Sequence, residues 1–157
     1  MKFSGRTDIQ APAEQAFEAI ADFSYWERAA MRRGAEVVRR DKLAQPGPGM
    51  TWMARFAWRG RDRQMLLTLR RMDRPTHLVL EGEGPSVDLL AEMELIALSA
   101  TRSRLVLQLT VKPHTLAARV YLETLRLTRR KVNARFATRL QAFATLIEQR
   151  QDDEDRT

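Results

Sequence analysis

The stretch "IQAPAEQAFEAIADF", Ile9 to Phe23, passes from a strand end through a proline into an amphipathic helix. Upstream of it, Phe3, Gly5, Thr7 and Ile9 alternate with Lys2, Ser4, Arg6 and Asp8, the two-residue period of a half-buried strand. Ala11 precedes a proline and is biased toward extended backbone, while Pro12, with its fixed φ and missing N–H, suits the start of a helix. Ala16, Phe17, Ala19, Ile20 and Phe23 then recur at spacings of three and four, giving one apolar face over about Ala13 to Ala21. Asp22 marks a break. A second short helix carries Tyr25, Trp26 and Met31 before Gly34.

Working outward, strand patterns and turn residues alternate. "AEVVRRDKL" reads as a strand, and "QPGPG", Gln45 to Gly49, is a strong breaker. "MTWMARFAW" places Trp52, Ala54, Phe56 and Trp58 on one face, "RGRD" is a hairpin candidate, and "RQMLLTLRRM" follows as a strand. "HLVLEGEG", "VDLLAEMELIAL" and "RLVLQLTVK" continue the series, the last with Leu105, Leu107, Leu109 and Val111 in strict alternation. After Pro113 the period becomes helical: Tyr121, Leu125, Thr128, Val132, Phe136, Leu140, Phe143 and Ile147 step by three or four, predicting one long C-terminal helix. The order belongs to the α+β class: a curved antiparallel sheet of about seven strands around a long helix, with two short helices between strands 1 and 2.

The chain of 157 residues fits one domain, expected over 1–150, with "QDDEDRT" as a disordered acidic tail over 151–157. Cysteine is absent, which excludes disulfides, thiolate nucleophiles and Cys-based metal sites. With no apolar signal core and no membrane-span window, a soluble cytoplasmic protein is the expectation. The net charge of +7 raises the question of nucleic acid, but the arginines are spread along the chain and repeatedly sit beside acids.

"IQAPAEQAFEAIADFSYWERA" resembles the opening of the START-like, or SRPBCC, superfamily of helix-grip proteins, and within it the bacterial polyketide cyclase/dehydrase and lipid-transport group. Ile9, Ala11, Pro12, Ala13, Phe17, Phe23 and Trp26 carry the match, and the element order agrees over roughly residues 2 to 148. The resemblance implies a mostly apolar cavity between the curved sheet and the C-terminal helix for sterols, lipids, polyketides or similar compounds. It implies no single reaction.

Candidate lining residues follow from the apolar stripes and the family pattern together. They are Phe23 and Trp26 on the short helices, then Trp52, Phe56 and Trp58 on one strand face, with Leu67 and Leu69 on the next. Leu80, Met93 and Leu107 on later strands and Val132, Phe136 and Leu140 on the helix complete them. The same stripes are also how sheets and helices bury themselves in a core. Catalytic residues are not identified: His77 and His114 sit at turn-like positions, without metal-ligand spacing, and no nucleophile motif occurs. No cofactor or metal is expected.

The basic run of Arg126, Arg129, Arg130, Lys131 and Arg135 reads as a solvated helix face; if it has a partner, an anionic membrane surface is favoured over nucleic acid, since no aromatics interleave it. The sequence thus points to a small hydrophobic ligand held in an internal cavity for transport, sequestration or sensing. A cyclase/dehydrase-type enzyme is the alternative, with a partner-binding module using the basic helix face as a third.

Overall fold

Alternation at Phe3 to Ile9 becomes β1 (Lys2–Ile9) in a computed structural model that describes residues Met1–Thr157. The Ala11-Pro12 corner opens α1 (Ala13–Ile20), which buries Ala13, Ala16, Phe17, Ala19 and Ile20. Asp22 breaks the helix as its spacing predicts, then caps α2 (Phe23–Arg32) by accepting a hydrogen bond from the Tyr25 N–H.

Six further strands follow: β2 (Glu36–Arg39), β3 (Thr51–Trp58), β4 (Arg61–Asp73), β5 (His77–Glu83), β6 (Val87–Ala97) and β7 (Ser103–Pro113). All pair antiparallel in one seven-stranded sheet of order β1-β7-β6-β5-β4-β3-β2. β2 is shorter than "AEVVRRDKL" suggests. Asp41 ends it by accepting from the Arg39 guanidinium and from the backbone N–H groups of Leu43 and Thr51.

The C-terminal helix is long but divided. α3 (Leu116–Leu127) stops at Thr128, and α4 (Arg129–Asp155) continues beyond it. The single helix expected from the unbroken period is thus an elbow: φ −110° at Thr128 departs from helical geometry, and the Thr128 hydroxyl donates back toward Thr124 and Leu125 carbonyls. The helix α4 extends through the acidic stretch as far as Asp155.

α4 packs along β1 and α1, and α3 against β7. Gly5 permits this approach, because a Cβ there would lie 2.9 Å from the Phe136 ring. At its far end α4 is latched to the α1–α2 corner: Arg150 donates to Asp22 Oδ2 at 2.7 Å and lies 3.9 Å from the Tyr25 ring centroid.

The buried side chains form two clusters. The larger gathers Ile9, Phe17, Ile20, Met50, Trp52, Leu69, Leu78, Leu105, Leu140 and Ile147 beneath α1 and α4. The smaller, Phe3, Val111 and Leu122, sits under α3. Leu67, Leu80, Met93 and Leu107, on the concave face of the sheet, pack against the larger cluster but stay partly exposed.

Candidate functional site

Register fixes which side chains share that concave face. Trp52 lies opposite Leu67, Leu67 opposite Gly82, Gly82 opposite Leu89 and Leu89 opposite Val111, one row across five strands. The neighbouring row runs Leu69, Leu80, Ala91, Leu109 and Phe3. Phe56 pairs with Arg63 and Trp58 with Arg61, so β4 turns two arginines to the same side as the apolar stripe.

The predicted lining residues divide three ways. Trp52, Leu69 and Leu140 are core, at 5%, 1% and 5% exposure. Phe23, Leu67, Leu80, Met93 and Leu107 pack half-buried against that core, and Val132 against the smaller cluster. Phe56 and Phe136 are also half-buried. Trp26 joins the helices to one another: its indole N–H is shared between the Ala19 and Ile20 carbonyls, and its ring stacks on Phe143.

Trp58 departs from the stripe it begins. It is 45% exposed and meets Tyr121 of α3 edge-on, with ring centroids 5.4 Å apart. The β3–β4 hairpin tip therefore reaches across to the helix. Arg59, at φ 54°, lays its guanidinium 4.1 Å from the Tyr121 centroid and completes this bridge.

Two polar groups on the concave face escaped the sequence reading. Trp52 Nε1 donates to Glu27 Oε1 of α2 at 2.6 Å, a contact between segments that no periodicity connects. Arg63 lies 5.5 Å from the Trp58 ring centroid, and its Nε is buried without a hydrogen-bond partner. A buried, unsatisfied donor of a charged group is costly unless something completes it. Alternation with Met65, Leu67 and Leu69 could have placed Arg63 inward, but one charged residue at a strand start reads as solvent-facing.

Enclosed space is small and polar space lies elsewhere. Beneath α1, Phe17, Leu78, Met93, Leu95 and Leu105 surround about 10 Å³, room for at most one water. A cleft of about 450 Å³ lies at the β1 edge beside α4, lined by Arg6, Asp8, Arg104, Gln141, Thr145 and Glu148. Asp8 there is held below its ordinary range, first by the hydrogen bond from Arg104, with Arg102 adding to the effect. Such a lining does not suit a hydrophobic guest. The apolar side chains that stay half-buried lie instead on the concave face: Phe56, Leu67, Leu80 and Leu107 share it with Arg63, and the Phe136 ring comes down on Gly5 of β1.

The histidines are not on the concave face: His77 is in register with Asp73 and Glu94 on the other side of the sheet, and His114 follows the end of β7. His114 pairs with Asp88 at 2.8 Å, and His77 Nδ1 contacts the Thr76 hydroxyl. No group of three or more His, Cys, Asp or Glu side chains is placed to hold a metal ion, and no helix is long and apolar enough to cross a membrane.

The family model described as "Polyketide cyclase / dehydrase and lipid transport" matches residues 1–148. The chain belongs to that family. Among solved structures, this polyketide cyclase/dehydrase and lipid-transport family member is similar to the Zhui aromatase/cyclase of Streptomyces sp. R1128, at 18% identity and TM-score 0.67, covering 96% of this chain and 94% of that one. It is similar also to a norcoclaurine synthase of Thalictrum, at 9% identity and TM-score 0.66, covering 96% of each chain. A START superfamily protein of Mycobacterium smegmatis matches at 13% identity and TM-score 0.57, over 85% of this chain and 95% of that one. At such identities these likenesses show the shared fold. A search of curated protein sequences finds no match.

Proposed function

We propose that this protein binds a small hydrophobic molecule carrying an acidic or strongly polarised oxygen, with its apolar body in the concave groove and its oxygen at Arg63. The observation that carries the reading is the unpartnered Arg63 Nε at the end of an apolar stripe. Lipids, polyketides and isoprenoid-like acids share that chemistry: a body that gains from leaving water and one oxygen that completes a guanidinium. Transport, sequestration and sensing all need such a site and nothing more.

Binding is favoured over cyclase/dehydrase-type catalysis because no strand position on the concave face carries Asp, Glu or His. Arginine stays protonated at neutral pH and is a poor general base. Glu27, which reaches Trp52 from α2, is engaged by the indole N–H.

Calorimetric titration with laurate and with dodecanol tests the reading. Laurate should bind more tightly, by about tenfold, the effect of one charge-assisted hydrogen bond. Equal affinities would remove Arg63 from the site, and no binding of either would remove the groove.

A further inference from the structure

Helix α3 is apolar on two sides. Tyr121, Leu122 and Leu125 face the sheet, with Leu122 buried. Leu116, Val120 and Leu127 are 77%, 58% and 88% exposed. At 3.6 residues per turn these three fall within an arc of about 40°, opposite the packed face. They form a solvent-facing aliphatic ridge that ends beside the Thr128 elbow.

Cations border the ridge. Arg119 and Arg126 line one side of it on α3, Arg129, Arg130 and Lys131 occupy the first turn of α4, and Arg135 and Arg139 continue along α4, all exposed. From Leu116 to Arg139 there are seven cations and one acid, Glu123, so this segment holds six of the net +7 charges of the chain. Only Arg126 is ion-paired among them, to Glu123 at 3.6 Å. Three cations and no acid at the start of α4 also oppose the helix dipole, which favours anions at that end.

We propose that the α3–α4 elbow docks on an anionic lipid bilayer, with Leu116, Val120 and Leu127 entering the interface and the bordering arginines meeting lipid phosphates. This combination of an aliphatic ridge and a basic rim suits a headgroup layer over an apolar interior. A second copy of the chain fits poorly, because a symmetric contact would bring two such basic surfaces together. Nucleic acid fits poorly as well, since three aliphatic side chains offer bases no stacking surface. The proposal is independent of the ligand in the groove.

Vesicle flotation of the full chain tests it, using phosphatidylcholine alone and phosphatidylcholine with about one-third phosphatidylglycerol. The protein should float with the anionic vesicles only, and less so as salt is raised. Arg129→Gln, Arg130→Gln and Arg135→Gln together should lower partitioning about a hundredfold, at about fivefold per charge removed. Leu127→Gln, which leaves the charge unchanged, should lower it about tenfold. Both variants alter exposed side chains, and circular dichroism will verify their fold. Failure to float with anionic vesicles overturns the proposal. So does flotation indifferent to Leu127→Gln, which would leave a charge effect alone. Concentration-dependent dimerisation abolished by Leu127→Gln would assign the ridge to a second copy, and retention on single-stranded RNA with no vesicle binding would assign the rim to nucleic acid.

Discussion

At the residue scale, Arg63 separates what stabilises this protein from what the groove does. Its buried Nε has no partner, and an unsatisfied buried polar atom costs about 1–3 kcal/mol. Arg63→Met keeps much of the side-chain volume and removes that atom. The variant should be about 1 kcal/mol more stable in urea denaturation and should bind laurate no better than dodecanol. A variant that loses stability would mean the guanidinium is satisfied in the free protein, for instance by its contact with the Trp58 ring. Acidic residues act in the opposite sense. Asp41 is held well below its ordinary value by Arg39 and by the Thr51 and Leu43 N–H groups, Asp8 by Arg104, and Asp88 by His114. Because these folded values are depressed, the unfolded chain binds more protons as pH falls. The stability they contribute is complete above about pH 4, the unfolded carboxylate value, and drains away below it as the folded values are approached. Asp41→Asn should lower the melting temperature at neutral pH and flatten the fall in melting temperature below about pH 4. An unchanged acid limb would mean that other carboxylates carry it.

At the element scale, the β3–β4 hairpin turns on Arg59 and Gly60, both at positive φ. Asparagine-glycine is the favoured pair for such a turn, so arginine at φ 54° carries a local strain that its contact with Tyr121 offsets. Arg59→Asn should therefore cost little or be destabilising by under about 1 kcal/mol in the wild-type background, and be stabilising by a similar amount when Tyr121→Ala is present. Additive effects in that double-mutant cycle would show that the hairpin tip and α3 are not coupled. Such bridges explain where the sequence was legible and where it was not. The alternation of Leu105, Leu107, Leu109 and Val111 and the Ala11-Pro12 corner are local signals, and each produced the element it predicts. The elbow at Thr128 was hidden because the apolar period continues through it, with Leu125 on one side and Val132 on the other. Trp58 fits its strand's alternation, yet it is 45% exposed because it sits at the hairpin tip, where its one helix contact is the edge of Tyr121 of α3. Within the groove, apolar periodicity located the concave face but did not separate Leu69, fully in the core, from Leu80 and Leu107, which stay partly open.

On the scale of the whole molecule, the accessible surface is 10310 Å². A compact chain of 18.1 kDa would expose about 8,100 Å². Partly exposed apolar side chains on the concave face, such as Leu67, Leu80 and Leu107, and the aliphatic ridge of α3 contribute to the excess. Surface already exposed in the native state cannot be exposed again on unfolding. The urea m value of the free protein should therefore fall below that of compact domains of this length, because m scales with the area released. A hydrophobe seated in the groove covers part of that area in the native state only. Laurate at about a hundred times its dissociation constant should then stabilise the fold by about 2.7 kcal/mol and raise the m value at the same time. Repeating the measurement with Arg63→Met separates the groove from any other site: stabilisation by laurate that is undiminished in the variant would move the ligand away from Arg63.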